Sequence, residues 1–310
     1  MRAVDFQPTE DQKDLRAGVR DLLAGRYGRE ALRASVDTGA AVDRALWREL
    51  GEAGFFALRL PEAEGGVGLG LPEAVLVFEE AGRVLLPGPL VATHLAAGVV
   101  PGAAAGTAVV TAFDLGGGEG GGRGGGGLVT YLAEADAVLG AAAVPAGEPV
   151  RSADPLTPLH RVDAYGDCSA YRSAGALLTA ALQLGSALRT VELAVRYGKE
   201  REQFGQPIGA FQAVKHLCAE MLVRAEVART AVYAAAVTAE AGEIATAKLL
   251  ADGAAVRNAR DCLQVHGGMG FTWEADVHLH LKRAWVRAEQ WRTAAEAEEL
   301  LAAELLASCA

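Results

Sequence analysis

Behind Thr9, a residue suited to an N-cap, Leu15, Val19, Leu22 and Leu23 recur at helical spacing and predict a first helix. A second amphipathic stretch carries Leu46, Trp47, Leu50 and Phe55 and ends at Pro61. The glycine-bearing loop 61–70 then leads into EAVLVFEEAGRVLL, which reads as helix again. Near Ala108 the pattern shortens, and AVVTAF, LVTYLA and AVLGAAAV are apolar runs of strand length. From about Ala174 long stretches rich in Ala and Leu return, free of internal proline and charged on one side: ALLTAALQLGSALRTVELAVRYGKE, AFQAVKHLCAEMLVRAEVARTAVYAAAVTAEA and IATAKLLADGAAVRNARDCLQVH. These predict antiparallel bundle helices. Two shorter helices are expected from Trp273 to Ala288 and from Arg292 to Ser308. The order predicts a mainly α chain in three parts: an N-terminal α domain over 1–105, a small β-rich middle domain over 106–168 and a C-terminal helical bundle over 169–310.

Composition narrows the function. A chain of 310 residues, 51% hydrophobic and 22% charged, buries a substantial core. With 29 Lys and Arg against 39 Asp and Glu, the net charge of −10 repels phosphate backbones and anionic lipid, which speaks against nucleic acid and membrane surfaces as partners. Cys168, Cys218, Cys262 and Cys309 are scattered, without the spacing of a disulfide framework or a zinc site. The opening MRAVDFQPTEDQKDLR has no apolar signal core and no stretch has the length of a spanning helix, so a cytoplasmic protein with its own N-terminus is expected.

The glycine run from Gly116 to Gly127 satisfies a dinucleotide fingerprint only because nearly every residue in it is glycine. A strand-like segment follows it where the fingerprint needs a helix, so it reads as a flexible hairpin loop.

Two segments carry the candidate chemistry. In RYGKEREQFGQPIGAFQAVKH, between two long helices, Arg201 offers a planar fork suited to a pyrophosphate, Phe204 a flat apolar face and Gly205 close backbone approach. The same residues also suit a helix C-terminus, a core aromatic and a turn glycine. In QVHGGMGFTWEADVHLHLKRA, three glycines interrupt a helical run and would expose backbone N–H groups to an anion. The alternative is a plain turn in which Thr272 caps the next helix and Glu274 and Asp276 occupy its first turn. His266, His278 and His280 lack the spacing of a metal site, and no metal is expected.

Together with DFQPTEDQKDLR and LWRELGEAGFFALRLPEAEGGVGLG, these segments resemble the acyl-CoA dehydrogenase family over nearly the whole chain and in the family's order. The resemblance implies an N-terminal α domain, a middle β domain and a C-terminal four-helix bundle. It implies that Arg201, Gln203, Phe204, Ile208, Gln264, Gly267 and Gly268 contact the ADP portion of an FAD whose flavin lies in the neighbouring subunit, with Gln212 supporting the same helix.

The chain departs from that family where the reaction is done. Family members remove the α-proton of an acyl-CoA with a glutamate placed on the first bundle helix or after the QxxGG segment. Those places fall at Gly175 and Trp291 here, and neither residue accepts a proton. The Thr- and Ser-containing strands that cradle flavin and thioester are not recognisable between Ala108 and Ala164. Retained ADP contacts without a base resemble the β-type subunit of actinobacterial α2β2 dehydrogenases of steroid side-chain CoA thioesters. A homologous catalytic subunit, an acyl-CoA held mainly by that partner and an electron-transferring flavoprotein are then the expected partners. A self-sufficient homomer using a displaced base such as Glu289, and a non-enzymatic scaffold, are the alternatives.

Overall fold

A computed structural model describes residues 8–39, 42–115, 127–164 and 166–308. Gly116 to Gly126 of the glycine run and Cys309 lie outside the described residues.

The chain opens with α1 (Glu10–Arg26), α2 (Arg29–Thr38), α3 (Arg44–Glu52), α4 (Leu71–Arg83) and the short α5 (Leu90–Leu95). Thr9 caps α1 as expected, in a capping box completed by Gln12: the Gln12 N–H donates to Thr9 Oγ1 at 3.3 Å and the Thr9 N–H to Gln12 Oε1 at 2.9 Å. Helix α2 was not foreseen, because its only buried residues, Leu32 and Val36, make too short an apolar pattern.

The middle stretch is small. Strands β1 (Val110–Ala112) and β3 (Ala137–Leu139) pair in parallel, while β2 (Gly127–Thr130), β4 (Gly147–Val150) and β5 (Leu159–Val162) form an antiparallel sheet in the order β2-β5-β4. Strand β4 contains Pro149 and takes the edge, where a missing N–H is tolerated.

The rest is helical: α6 (Arg172–Glu200), a two-residue hairpin of β6 (Glu202–Gln203) and β7 (Gln206–Pro207), α7 (Gln212–Thr238), α8 (Ala241–His266), α9 (Val277–Ala288) and α10 (Ala294–Ser308). Helix α6 is buried nearly all round, as a central helix must be, and packs against α4, α7 and α8. It crosses α4 backbone to backbone: a Cβ on Gly82 would lie 2.1 Å from the Leu182 carbonyl oxygen, and one on Gly185 1.9 Å from that of Glu79. A buried cluster fastens α1 and α7 to the same place, since Glu79 accepts from Arg16 at 2.6 Å and from Tyr233 at 2.8 Å. Helix α9 starts later than expected. Thr272 is not its cap, because the hydroxyl donates to the Met269 carbonyl at 2.9 Å within a 3-10 turn, Gly267–Phe271. Asp276 precedes the helix and pairs with Arg29 and Arg33 of α2 at 2.7 and 2.5 Å. Among the described residues, no helix is long and apolar enough to cross a membrane.

Candidate functional site

Helix α6 ends at Glu200, and Arg201 leaves it in extended conformation, its N–H still bonded to the Tyr197 carbonyl at 2.9 Å. The β6–β7 hairpin turns through Phe204 at φ 54° and Gly205 at φ 76°, the two positive angles that a tight hairpin requires. Glycine takes this conformation without cost, but phenylalanine is strained there. Phe204 is moreover 91% exposed, touching the edge of Phe211 at 6.0 Å between ring centroids. Arg201, Gln203 and Gln212 are exposed and Ile208 is half-buried, its N–H bonded to the Arg201 carbonyl at 2.8 Å. Arg201 makes no ion pair among the described residues, and no side chain caps the N-terminus of α7.

The second segment arrives at the same end of the bundle. Gln264 is exposed on the last turn of α8, Gly267 ends the helix at φ 57°, and a Cβ on Gly267 or Gly268 would meet open space. His266 stacks on Tyr197 at 4.1 Å, which joins the end of α8 to the end of α6. The structure thus gathers both predicted segments on one open face, together with the exposed Met269, Phe271 and Trp273. The other two histidines named from the sequence are engaged by neighbours. His278 stacks on Trp273, and the His280 ring nitrogen Nδ1 bonds the Ser186 hydroxyl at 2.7 Å. Among the described residues no cluster of three or more His, Cys, Asp or Glu side chains is placed to hold a metal.

At the opposite end of α6, Gly175 and Trp291 face each other. A Cβ on Gly175 would fall 2.2 Å from Trp291 Cδ2, so the indole lies against the bare glycine backbone. Trp291 is 4% exposed and sits at φ 62°, a left-handed conformation held by its surroundings. Its N–H donates to the Asp114 carbonyl at 2.6 Å, and its own carbonyl accepts from Arg172 Nε at 2.9 Å. The turn that carries it is anchored from behind. Buried Lys248 pairs with Asp252 and donates to the carbonyls of Arg287 and Ala288 at 3.1 and 3.3 Å. Arg283 pairs with Asp154 and donates to the carbonyls of Leu86 and Leu156, tying α9 to the middle stretch.

What remains beside the indole is a chamber of about 30 Å³, lined among others by Asp114, Tyr131, Thr179, Arg287 and Gln290. That is room for a water molecule or two. Asp114 accepts from Gln290 Nε2 at 2.8 Å through Oδ2, while Oδ1 has no partner. Burial pushes its carboxyl up to about 7 and lowers the Arg287 guanidinium to about 9. Sequence reasoning missed Asp114, a lone carboxylate after a strand. Glu289 is exposed and does not line the chamber, and Glu274 is exposed as well. Cys262 is buried, and burial pushes its thiol up to about 12.

With this geometry in hand, comparison with known proteins is specific. Residues 9–111 match the family described as acyl-CoA dehydrogenase, N-terminal domain, and residues 173–295 match acyl-CoA dehydrogenase, C-terminal domain. Residues 112–172, which hold nearly all of the reduced β region, lie between the two matches. Acyl-CoA dehydrogenase IpdE2 of Mycobacterium tuberculosis is 35% identical over 291 residues, covering 89% of this chain and 92% of that one. Acyl-CoA dehydrogenase FadE34 of the same organism is 35% identical over 321 residues that span 87% of this chain but 45% of the relative. Among solved structures, the ChsE4-ChsE5 complex from Mycobacterium tuberculosis superimposes with a TM-score of 0.83 at 27% identity, covering 98% of this chain and 99% of that one.

Proposed function

The chain belongs to the acyl-CoA dehydrogenase family, and from that premise we propose that it is the non-catalytic, β-type subunit of a heteromeric enzyme that desaturates an acyl-CoA thioester. The observation that carries this reading is the Trp291 indole seated on Gly175. Both positions that the family resemblance reserves for the base lack a carboxylate, and the space between them is filled. A chamber of about 30 Å³ admits no acyl thioester, so Asp114, although its carboxyl lies near neutrality, has no substrate to deprotonate.

The open face supports the other half of the proposal. FAD supplies the hydride acceptor in this family. The residues present fit its ADP portion: Arg201 has no ion pair among the described residues, the α7 N-terminus has no side-chain cap, and the glycines after Gln264 stand in open space. Arg201 neutralises pyrophosphate charge, Phe204 and Ile208 wall the adenosine, Gln203 and Gln264 offer amide hydrogen bonds, and the Gly267–Gly268 backbone completes the grip. Gln212 holds the first turn of α7. All of these groups serve a nucleotide that a second subunit lays across them, and that subunit contributes the glutamate, the flavin cradle and the acyl pocket.

The partner is then a homologous catalytic chain in an α2β2 assembly, and an electron-transferring flavoprotein reoxidises the cofactor. FadE34 supports the unlike-half arrangement, because this chain accounts for under half of that single polypeptide. The name of the ChsE4-ChsE5 complex likewise joins two different chains. A steroid side-chain thioester is the substrate class that we favour, with its selectivity residing in the partner.

Co-expression with a homologous chain, followed by flavin counting, tests this reading. One FAD per two chains is expected, with no flavin on this chain alone and loss of flavin from the complex on Arg201→Ala. A purified homo-oligomer that carries one FAD per chain and oxidises an acyl-CoA would overturn it.

A further inference from the structure

A cleft of about 500 Å³ opens where α1 and α2 stand off from α4, α6 and α9, and none of the residues assigned above to the nucleotide or to the sealed chamber lines it. Its floor is apolar, formed by Leu23, Leu32, Val84 and Leu193. Its rim is not: Arg20, Arg29, Arg83, Arg189 and Arg196 surround it, against the carboxylates of Glu80 and Asp276. In a chain with a net charge of −10 this is a local excess of positive charge. The pairs at the rim leave some of it unspent. Arg20 is engaged by Glu80 and Arg29 by Asp276, Arg83 and Arg189 share the exposed Glu192, and Arg196 has no ion pair among the described residues. His280 also lines the cleft, and burial among arginines pushes it down to about 3, so the imidazole adds no charge.

Tyr27 forms a wall of this cleft and also of a second cavity, about 220 Å³, between α2 and α3. Leu46, Leu50, Ala34 and Leu86 make that chamber mostly apolar. Trp47 lines it, is 2% exposed, and has an Nε1–H with no hydrogen-bond partner. Tyr27 Oη is also unpartnered, for the nearby Ser35 hydroxyl donates to the Ala31 carbonyl at 2.9 Å instead. Buried donors are rarely left unsatisfied without a reason.

We propose that the cleft and the chamber behind Tyr27 are one binding site for an amphipathic organic anion. Its carboxylate or phosphate lies against Arg29, Arg189 and Arg196, its apolar body along Leu32 and Leu193, and an acceptor oxygen at the far end reaches the Trp47 Nε1–H. The volume falls in the range of small-molecule sites, and the lining has their composition, apolar walls with a few placed polar groups.

The test uses the full chain titrated with anilinonaphthalene sulfonate, an aromatic anion whose fluorescence rises in apolar surroundings. Saturable binding is expected, displaced by dodecanoate or dodecyl phosphate but not by dodecyl maltoside, whose head is uncharged. Whichever anion displaces the dye at lower concentration identifies the head group. Arg196→Glu, at an exposed position that folding does not need, is expected to weaken displacement by about tenfold or more, with the effect fading at high salt. Leu32→Trp, which fills the cleft, is expected to abolish binding, with circular dichroism checking the fold. Equal displacement by the maltoside, or binding unchanged in Arg196→Glu, overturns the proposal.

Discussion

At its first turns α6 is sealed, and at its last it is open. Around Gly175 the backbone is covered by an indole, the neighbouring carboxylate is buried to the point of losing its charge near neutrality, and each chain segment is pinned by a second. Around Arg201, by contrast, a cation with no ion pair among the described residues, exposed amides, a phenyl ring that touches only the edge of Phe211 and a glycine turn stand in the open. One helix carries both ends, so the difference cannot come from loose packing of the domain. One end is closed by the chain's own packing, and the other presents its polar groups to the surroundings.

The strongest way to break this contrast is to reinstate the missing acid. Gly175→Glu forces side-chain atoms into the Trp291 ring and is expected to destabilise the chain by about 4 kcal/mol or more. Thermal or urea unfolding measures this. Adding Trp291→Gly should recover part of the loss, and full stability in the single variant would mean that the chamber opens readily. Trp291→Ala alone leaves a cavity and is expected to cost about 3–5 kcal/mol, read from the shift in denaturant midpoint.

The open end answers to binding instead. Arg201→Ala should leave the unfolding midpoint of the isolated chain unchanged while weakening FAD retention in the assembled complex by about 1.5–3 kcal/mol, measured by flavin release on dilution. Phe204→Gly sharpens the point, because relief of the left-handed strain at φ 54° should raise stability by up to about 1 kcal/mol even as flavin is held less tightly. A gain in both would remove the functional reason for the strained phenyl.

A separate effect concerns pH. The Asp114 carboxyl is raised to about 7, so the folded chain holds a proton that the unfolded chain has released. Stability from this group therefore falls as pH rises from about 4 to about 7 and stays low above that. His94 and His280, pushed down to about 4 and about 3 by burial, tilt the profile the other way. The comparison to make is thus Asp114→Asn against the native chain, with the variant gaining a few degrees in melting temperature at pH 8 relative to pH 5.

The long helices were legible because their apolar faces run for many turns, and Thr9 was legible as a cap because acidic residues follow it directly and an apolar run at helical spacing comes after, while its box partner Gln12 was seen only in the structure. Strands β4 and β5 were not. GEPV carries a proline and LHRV a buried histidine, and the two make sense only as neighbours with Pro149 opposite His160. Thr272 misled because a cap is recognised by local spacing, whereas Asp276, which precedes α9, is engaged by α2 from far away in the chain. At the site, the absence of a carboxylate at Gly175 and Trp291 could be counted from the residues. That the two positions touch, and that Asp114 closes the space between them, depends on long-range packing that no local pattern carries.

The glycine-to-glycine crossing of α4 and α6 bears on how such chains change length over evolutionary time. Gly82 and Gly185 lock the two helices in a single register, with the whole middle stretch strung between them. Insertions or deletions in the loops between its strands leave that register untouched and meet mainly a loop-closure penalty, about 0.6 kcal/mol for each doubling of length. A lineage relieved of holding a flavin ring can therefore prune that stretch step by step while the helical frame, and the face it offers to a neighbour, stays as it was.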